Sequence, residues 1–314
     1  MSHVIIASQL DEDFNQVIRE RLAPLHPQAQ VIGVPVGAPN DLPPQANILL
    51  LRPINVRGYI APDTPPPGWP YGAQWVHLVS SGIDFYPQWL FNGPPVSTSR
   101  GSAADNLAEF ALAAIFAAAK HLPDIWVKDS QWNFTALRPL KGTTLGILGF
   151  GAIGESLAQK ALGLGLKVIA LRQSQAPFSA GVEAATDIHD LFARADHLVV
   201  AAPLTEATRH VINRDVLGSA KPGLHLINIA RGGLLDQEAL LEALDNGQIG
   251  LASLDVTEPE PLPDGHPLYT HPRVRLSPHT SAISTNSKEE IADTFLANLE
   301  RYVAGLELTN VANA

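Results

Sequence analysis

Short apolar runs alternate with segments of helical periodicity along the N-terminal third of the chain. Most of these runs are apolar at consecutive positions, which is typical of parallel strands buried on both faces. The predicted strands are Val4–Ala7, Val31–Val34, Ile48–Leu51, Trp75–Val79 and Val96–Thr98. Asp11–Leu22 has apolar residues at helical spacing and is predicted to be a helix. The pattern therefore predicts an α/β domain with a parallel sheet.

The same alternation restarts after Gly142. The predicted strands here are Thr144–Leu148, Lys167–Leu171, His197–Ala201, His225–Ile229 and Gly250–Leu254, with Val274–Leu276 as a further candidate. Strand–helix alternation on this scale predicts a second doubly wound parallel sheet. The amphipathic segment Ser287–Val303 is expected to return to the first domain. We therefore predict a substrate domain, residues 1–99 plus 286–314, and a cofactor domain, residues 100–285.

Two segments between these patterns are unusual. Ser102–Leu122 is mostly apolar, and Glu109 is the one charged residue from Leu107 to Ala119. This predicts a buried helix, either between domains or against another subunit. An ordinary core helix is the alternative interpretation. Pro62–Pro70 contains too many prolines for a helix interior and predicts a stiff surface loop.

Composition and charge narrow the classes of function. The chain has 314 residues, of which 46% are hydrophobic and 17% charged, which is typical of a globular protein of two domains. A formal net charge of −10 argues against nucleic acid or an anionic membrane as the main partner. The absence of cysteine excludes thiol catalysis, disulfides and Cys-ligated metals. The N-terminus lacks the features of a signal peptide, so we expect a cytoplasmic protein without membrane spans.

A glycine-rich loop follows the strand Thr144–Leu148. Its residues are Gly149, Phe150, Gly151, Ala152, Ile153 and Gly154, and a predicted helix begins directly after them. The first glycine permits a tight turn, the second lets the backbone approach a pyrophosphate, and the third lets helix and strand pack closely. The helix N-terminus offers N–H groups to phosphates. This context predicts a dinucleotide site, and a turn without a ligand is the alternative.

The end of the next strand indicates which dinucleotide binds. An NAD site usually has an acidic residue there for the ribose 2′-hydroxyl, but no acid occurs between Gly165 and Gly181. Arg172 can instead pair with a 2′-phosphate, assisted by Gln173 and Ser174. We therefore predict that NADP(H) is preferred and that NAD(H) remains possible. The alternative is a solvated arginine at a strand end.

Three further residues have the chemistry of a hydride-transfer site. Arg231 lies in Asn228-Ile-Ala-Arg231-Gly, Glu260 in Asp255-Val-Thr-Glu-Pro-Glu260-Pro, and His279 in Ser277-Pro-His279. A cation can hold a 2-keto acid, a carboxylate can raise the pKa of an imidazole, and an imidazolium can protonate a carbonyl oxygen. No metal is needed for such a reaction. Arg231 as a surface ion-pair partner is the alternative.

Ordered motifs along nearly the whole chain resemble one family. They are Ser80-Ser-Gly-Ile-Asp84, Leu140-Lys-Gly followed by the glycine loop, Ala202-Pro-Leu-Thr205, Lys221-Pro-Gly223, Asn228-Ile-Ala-Arg-Gly-Gly-Leu-Leu-Asp236, Leu254-Asp-Val-Thr-Glu-Pro-Glu-Pro-Leu-Pro263 and Pro278-His279. The sequence resembles the D-isomer-specific 2-hydroxyacid dehydrogenases, especially the glyoxylate/hydroxypyruvate reductase branch. The resemblance implies a flavodoxin-like substrate domain, a Rossmann cofactor domain and an active site in an interdomain cleft.

The resemblance also implies roles for individual residues. Arg231 would bind the substrate carboxylate and carbonyl, His279 would be the acid–base residue, and Glu260 its partner. Backbone amides at Ser81, Gly82 and Ile83 would hold the substrate carboxylate. Asp255 would anchor the nicotinamide carboxamide, and the cofactor would also be lined by Pro203, Ile229 and Ala230. Glu258 is a rival for Glu260, but the family's acid directly precedes the Pro-Leu-Pro run.

We therefore predict an NADPH-preferring reductase that converts small 2-keto acids to D-2-hydroxy acids. The resemblance further implies a homodimer, with Ser102–Leu122 in its interface. Arg52, after a first-domain strand, would add a second cation near the substrate or only cap the sheet edge. A non-catalytic, dinucleotide-sensing protein similar to a corepressor is the alternative from another functional class.

Overall fold

The protein folds into two compact units. The computed structural model describes residues 4–40, 42–55, 60–132 and 134–312. One unit comprises Met1–Ser102 and Thr285–Ala314, and the other comprises Ala103–Ser284. Residues 1–3 and 313–314 of the predicted substrate domain lie outside the described residues. The assignment of the first unit to substrate and the second to cofactor stays a prediction.

The first unit is built around a five-stranded parallel sheet in the order β2-β1-β3-β4-β5. Phe14 and Ile18 of one helix and Phe295 of another pack with Trp75 on the same side of this sheet. The amphipathic C-terminal segment thus completes the core of the unit that contains the N-terminus. The elements are β1 (Ile5–Ser8), α1 (Glu12–Leu22), β2 (Gln30–Gly33), β3 (Ile48–Leu51), β4 (Trp75–Leu78), β5 (Val96–Thr98) and α7 (Ser287–Val303).

The second unit contains a seven-stranded parallel sheet in the order β12-β11-β10-β9-β6-β7-β8. The strand order reverses direction between β6 and β9, which is the switch point of a doubly wound sheet. The strands are β6 (Thr144–Leu148), β7 (Lys167–Leu171), β8 (Val182–Ala184), β9 (His197–Val200), β10 (Leu224–Asn228), β11 (Ile249–Leu254) and β12 (Val274–Leu276). The helices are α2 (Ala104–Ala119), α3 (Ala152–Gly163), α4 (Ile188–Arg194), α5 (Arg214–Gly218) and α6 (Gln237–Asp245).

Helices cover both faces of this second sheet. Apolar residues of α2 and α3 form one buried cluster with alternate residues of the strands. Residues of α4, α5 and α6 form a second cluster against the opposite strand residues. Burial on both faces explains why the strands are apolar at consecutive positions rather than at alternating ones. The predicted α/β fold with two parallel sheets is confirmed.

The structure differs from the sequence-based expectation in two elements. The edge strand β8 was not predicted, because its three residues are partly exposed and carry no apolar run. The helix α2 is shorter than the predicted Ser102–Leu122 and ends at Ala119, before His121 adopts a left-handed φ of 52°. Only one face of α2 is buried, since Glu109 and Ala113 are exposed within the chain. A helix buried against another subunit would leave such a face exposed in the single chain, so the burial of the second face of α2 stays a prediction.

Across residues 4–312, apart from 41, 56–59 and 133, the helices are all too short or too polar to span a lipid bilayer.

Candidate active site

The predicted site residues of the second unit all follow the carboxyl ends of its strands. Because the strands are parallel, these ends lie along one edge of the sheet, where ligands bind in doubly wound folds. Gly149 follows β6, Arg172 follows β7, Pro203 lies after β9, Ile229–Arg231 follow β10, Asp255 follows β11 and His279 lies three residues beyond β12.

The glycine loop lies at the switch point of the sheet. Gly149 has a left-handed φ of 98°, and a Cβ there would lie 2.5 Å from the backbone nitrogen of Ala202. A Cβ on Gly154 would lie 2.7 Å from the Gly149 carbonyl oxygen. Both positions therefore require glycine for the close packing of β6, α3 and the segment after β9.

The N-terminus of α3 presents backbone donors at this loop. Gly151 is the N-cap residue, and its own carbonyl accepts from Glu155. Within the described part of the chain, the backbone N–H groups of Ala152 and Ile153 donate to no protein acceptor. Such N–H groups, together with the positive end of the helix dipole, suit a phosphate. This segment therefore fits the pyrophosphate of a dinucleotide.

Arg172 lies where the sequence predicts a 2′-phosphate contact, but its guanidinium is already held by the protein. Its Nη2 donates to the carbonyls of Ala176 and of Pro177, the latter at 2.6 Å. Its Nη1 lies 3.4 Å from the Phe150 carbonyl oxygen, and the guanidinium carbon lies 4.6 Å from the Phe178 ring centroid. The neighbouring Gln173 and Ser174 are exposed.

Arg231 lies in a turn shaped by a buried asparagine. The Asn228 side chain accepts from the Ala230 backbone N–H at 3.0 Å and donates to the Arg231 carbonyl at 2.9 Å. The next residue is Gly232, where a Cβ would lie 2.1 Å from the carbonyl carbon of Thr257. The turn that carries Arg231 therefore packs directly against the backbone segment that leads to Glu260.

Glu260 and His279 form a hydrogen-bonded pair. The Glu260 Oε2 atom lies 2.8 Å from His279 Nδ1, and Glu260 Oε1 accepts from the Thr257 backbone N–H at 3.0 Å. His279 has a left-handed φ of 49°. Its backbone N–H donates to the carbonyls of Asp255 and Ser277, which holds this conformation in place. The two side chains are both about one-third exposed, at 33% for His279 and 39% for Glu260.

Each member of the pair shifts the pKa of the other. The hydrogen bond to Glu260 raises the pKa of His279 above its usual value, against the opposing effects of burial and of the Arg231 charge. Burial opposes ionisation of Glu260, but its bonds to His279 and Thr257 lower its pKa overall, and Arg231 contributes in the same direction. The arrangement therefore favours an imidazolium beside a carboxylate, within the electrostatic reach of a guanidinium.

The rival carboxylate Glu258 lies in a different set of contacts. Its two oxygens accept from Arg209 Nη1 at 2.8 and 3.0 Å. Its backbone N–H and carbonyl are bound by the Gln237 side chain. The structure thus places Glu260, and not Glu258, against the imidazole.

Asp255 is almost fully buried, with 2% of its surface exposed, and its carboxylate holds the loop that carries His279. One oxygen accepts from Ser277 Oγ at 2.6 Å and from the Thr280 N–H at 3.0 Å. The other accepts from the Ser281 N–H at 3.0 Å and from the Ser281 hydroxyl. Burial opposes ionisation of Asp255, but these bonds lower its pKa.

These contacts occupy the four acceptor positions of the Asp255 carboxylate. The sequence-based expectation assigned Asp255 to the nicotinamide carboxamide, and that role stays a prediction. Sequence reasoning missed Ser277 and Ser281 as partners of this carboxylate. The only available signal was the clustering of hydroxyl residues around Pro278-His279.

The remaining predicted cofactor contacts lie on the same sheet edge. Pro203 is exposed, and its carbonyl accepts from Thr208 Oγ1 at 2.8 Å, which closes the turn after β9. Ile229 is buried, and Ala230 is partly exposed beside Arg231.

In the first unit, the predicted substrate loop follows the carboxyl end of β4. Ser80 Oγ donates to the Gly82 carbonyl at 2.7 Å, and Ser81 Oγ donates to the Ser99 carbonyl at 3.3 Å. Across the residues that the structure describes, the backbone N–H groups of Gly82 and Ile83 donate to no protein acceptor. They are therefore available to an anion, and the substrate role of Ser81, Gly82 and Ile83 stays a prediction.

Comparison with known proteins identifies the family. The family model described as "D-isomer specific 2-hydroxyacid dehydrogenase, NAD binding domain" matches residues 112–281. A hydroxypyruvate reductase from Thermotoga maritima is 36% identical over 205 residues, which cover 63% of this chain and 67% of that protein. The chain belongs to the D-isomer specific 2-hydroxyacid dehydrogenase family.

Other members of the 2-hydroxyacid dehydrogenase family support this assignment. A glyoxylate reductase from Korarchaeum cryptofilum is 33% identical over 230 residues, which cover 69% of both proteins. Two further relatives are matched over less than half of their own length, because this chain aligns with only 41% and 42% of those proteins. A crystal structure of a D-isomer specific 2-hydroxyacid dehydrogenase from Xanthobacter autotrophicus, in complex with NADPH and MES, superposes with a TM-score of 0.81 and 25% identity. That comparison covers 100% of this chain and 98% of the other.

The predicted family and enzyme class are thus confirmed: the chain is an NAD(P)-dependent oxidoreductase of the 2-hydroxyacid dehydrogenase family. The relatives named here are enzymes, so the comparisons do not favour the non-catalytic, dinucleotide-sensing alternative.

Proposed function

We propose that this dehydrogenase reduces small 2-keto acids, of the glyoxylate and hydroxypyruvate type, to D-2-hydroxy acids, with NADPH as the preferred cofactor. The observation that carries the proposal is the Glu260–His279 pair. Glu260 Oε2 lies 2.8 Å from His279 Nδ1, and the charge of Arg231 acts on both side chains. The hydroxypyruvate and glyoxylate reductases among the relatives support the choice of substrate class.

Each of the three side chains has a role in this proposal. His279 donates a proton from Nε2 to the ketone oxygen, because Nδ1 is engaged with Glu260. Glu260 keeps the imidazole protonated and fixes the orientation of the ring. Arg231 binds the substrate carboxylate and the carbonyl oxygen, and its positive charge stabilises the negative charge that develops there. A bound nicotinamide supplies the hydride to the keto carbon.

The cofactor residues are proposed along the same sheet edge. The N–H groups of Ala152 and Ile153, with the close turn at Gly149, Gly151 and Gly154, would hold the pyrophosphate. Pro203, Ile229 and Ala230 would line the nicotinamide half, and Asp255 would hold its carboxamide. Asp255 already accepts four hydrogen bonds from the loop that carries His279. We therefore propose equally that Asp255 supports this loop.

The preference for NADPH rests on the end of β7. No acidic residue is present there to bind a ribose 2′-hydroxyl, and Arg172 brings a positive charge instead. Ser174 and Gln173 are exposed beside it and can donate to a 2′-phosphate. The relative from Xanthobacter autotrophicus was crystallised with NADPH, which supports the same choice. NADH remains usable in this proposal.

Steady-state kinetics tests the proposal directly. Oxidation of NADPH and of NADH is followed by the absorbance of the reduced nicotinamide, with glyoxylate and with hydroxypyruvate as paired substrates. We expect turnover on both acids and a higher kcat/KM with NADPH. Turnover with NADH preferred would overturn the role of Arg172 alone, whereas cofactor binding without turnover on any 2-keto acid would overturn the reaction.

The Arg231→Ala variant tests the assignment of the site. We expect it to lose reduction of both keto acids while it binds NADPH with nearly unchanged affinity, since Arg231 is proposed to contact the substrate. Arg214→Ala is the matched control, because Arg214 pairs with Glu242 on the surface of the same unit. Normal turnover of Arg231→Ala would contradict the assignment.

We also propose a cytoplasmic homodimer. The segment after α2 exposes large apolar side chains, with Trp126 67%, Trp132 68% and Phe134 94% exposed. Exposed aromatic residues in this number mark an interaction surface, and a second copy of the chain is the partner that the family resemblance implies. Light scattering after gel filtration would measure a mass of two chains, and a single-chain mass at micromolar concentration would contradict the proposal.

A further inference from the structure

Arg172 lies against two aromatic rings and is also held by backbone carbonyls. Its guanidinium carbon lies 4.6 Å from the Phe178 ring centroid and 5.7 Å from that of Phe150. The two rings contact each other edge to face, with centroids 5.0 Å apart and an interplanar angle of 77°. Phe150 is a buried member of the glycine loop, whereas Phe178 lies six residues beyond Arg172. The cluster therefore links the loop after β7 to the dinucleotide loop.

The contacts leave the guanidinium little freedom to move. Nη2 donates to the carbonyls of Ala176 and Pro177 in the same loop as Phe178, and Nη1 reaches the Phe150 carbonyl. The ring of Phe178 lies closer to the cation than that of Phe150, and it packs against the apolar cluster beneath. Phe178 thus joins the loop that binds Nη2 to the body of the unit, in addition to its direct contact with the cation.

We propose that Phe178 is a positioning residue that selects the cofactor through Arg172, by holding the guanidinium where a 2′-phosphate binds beside Gln173 and Ser174. The proposal rests on the proposed role of Arg172. An arginine at an exposed strand end would otherwise sample many rotamers, and ordering it would oppose binding. A ring face that attracts the cation orders it before the cofactor arrives. Phe178 itself need not touch the cofactor.

The expected effect is selective and moderate. Removing the ring face while keeping an apolar side chain should weaken binding of a dinucleotide with a 2′-phosphate by about two- to five-fold, or ~0.5–1 kcal/mol. Binding of NADH should not change, because its ribose hydroxyl does not need the ordered cation. A purely structural role of Phe178 would instead weaken both cofactors together, through a shift of the glycine loop.

The experiment measures dissociation constants for NADPH and NADH by the fluorescence of the reduced nicotinamide. Adenosine 2′,5′-bisphosphate and 5′-AMP, used as competitors, isolate the 2′-phosphate from the catalytic residues. The variants are Phe178→Leu, Phe178→Tyr, Arg172→Gln and the double variant Phe178→Leu with Arg172→Gln. Phe116→Leu is the matched control, because Phe116 is a half-buried phenylalanine of α2 that packs against the same apolar cluster.

We expect Phe178→Leu to weaken the binding of NADPH and of the bisphosphate, but not the binding of NADH or AMP. Phe178→Tyr should keep the wild-type ratio of the NADPH and NADH dissociation constants. In the Arg172→Gln variant, the added Phe178→Leu change should have no further effect on this ratio of dissociation constants. The inference is overturned if Phe178→Leu leaves the ratio unchanged in the wild-type protein, or if it changes the ratio equally in the wild-type protein and in Arg172→Gln. A wild-type preference for NADH would overturn the NADPH assignment, but the comparison of the two backgrounds would still decide the role of Phe178.

Discussion

Replacement of Asp255 by asparagine tests whether this residue supports the catalytic loop or only contacts the cofactor. The change keeps the size of the side chain and converts one carboxylate oxygen into an NH₂ donor. Each oxygen of Asp255 accepts one bond from a hydroxyl, Ser277 or Ser281, and one from a fixed backbone N–H, Thr280 or Ser281. The hydroxyls can rotate and accept from an amide, but the backbone N–H groups cannot.

The cost follows from this geometry. Whichever way the new amide is oriented, one buried backbone N–H faces a donor and loses its acceptor, which costs about 1–3 kcal/mol. The remaining bonds change from bonds to a charged acceptor to bonds between neutral groups, and each loses roughly 1 kcal/mol. Added together, these effects should lower the free energy of unfolding by about 4–6 kcal/mol. For a unit of this size the loss corresponds to roughly 8–24 °C in Tm.

The assay is thermal unfolding of the protein without cofactor, at neutral pH. Asp236→Asn is the matched control, because Asp236 caps α6 through the backbone N–H groups of Glu238 and Ala239 and asparagine is an equally good cap. An unchanged Tm of Asp255→Asn would refute the reasoning, since a residue that only contacts the cofactor contributes nothing to the protein alone. A lowered Tm with normal kcat would refute the link to His279.

Three further predictions concern pH dependence and packing. Glu260 raises the pKa of His279, so Glu260→Gln should make reduction fall at a lower pH than in the wild type, measured as the pH profile of kcat/KM. Burial lowers the pKa of His225 from 6.5 to about 3, so the unfolded chain alone takes up this proton between pH 7 and 5. This uptake should lower the free energy of unfolding by about 2 kcal/mol at pH 5. In urea unfolding at pH 7 and pH 5, His225→Gln should therefore lose about 2 kcal/mol less stability than the wild type. Gly232→Ala should lower Tm by several degrees, because its Cβ would lie 2.1 Å from a carbonyl carbon, whereas Gly163→Ala, with no heavy atom within 4 Å, should not.

Much of the fold and part of the site could be predicted from local patterns. Strands buried on both faces are apolar at consecutive positions, so their order along the chain was readable, with ends that differ by at most one residue from those in the structure. Gly149 and Gly154 were readable because the backbone around them admits no Cβ, and only glycine meets that requirement. The short edge strand β8 was not readable, because its three residues include a single β-branched residue, Val182, and form no apolar run.

The sequence alone determined the elements, the parallel sheets, the glycine loop and the residue types available for hydride transfer, because each depends on neighbours within one turn or strand. The tertiary structure decided which of these residues meet. It placed Glu260 rather than Glu258 at His279, gathered the His279 loop around Asp255, and folded Arg172 onto Phe178. These contacts depend on where the strands end at the sheet edge and on how the connecting loops pack, and neither is set by residues adjacent in the chain.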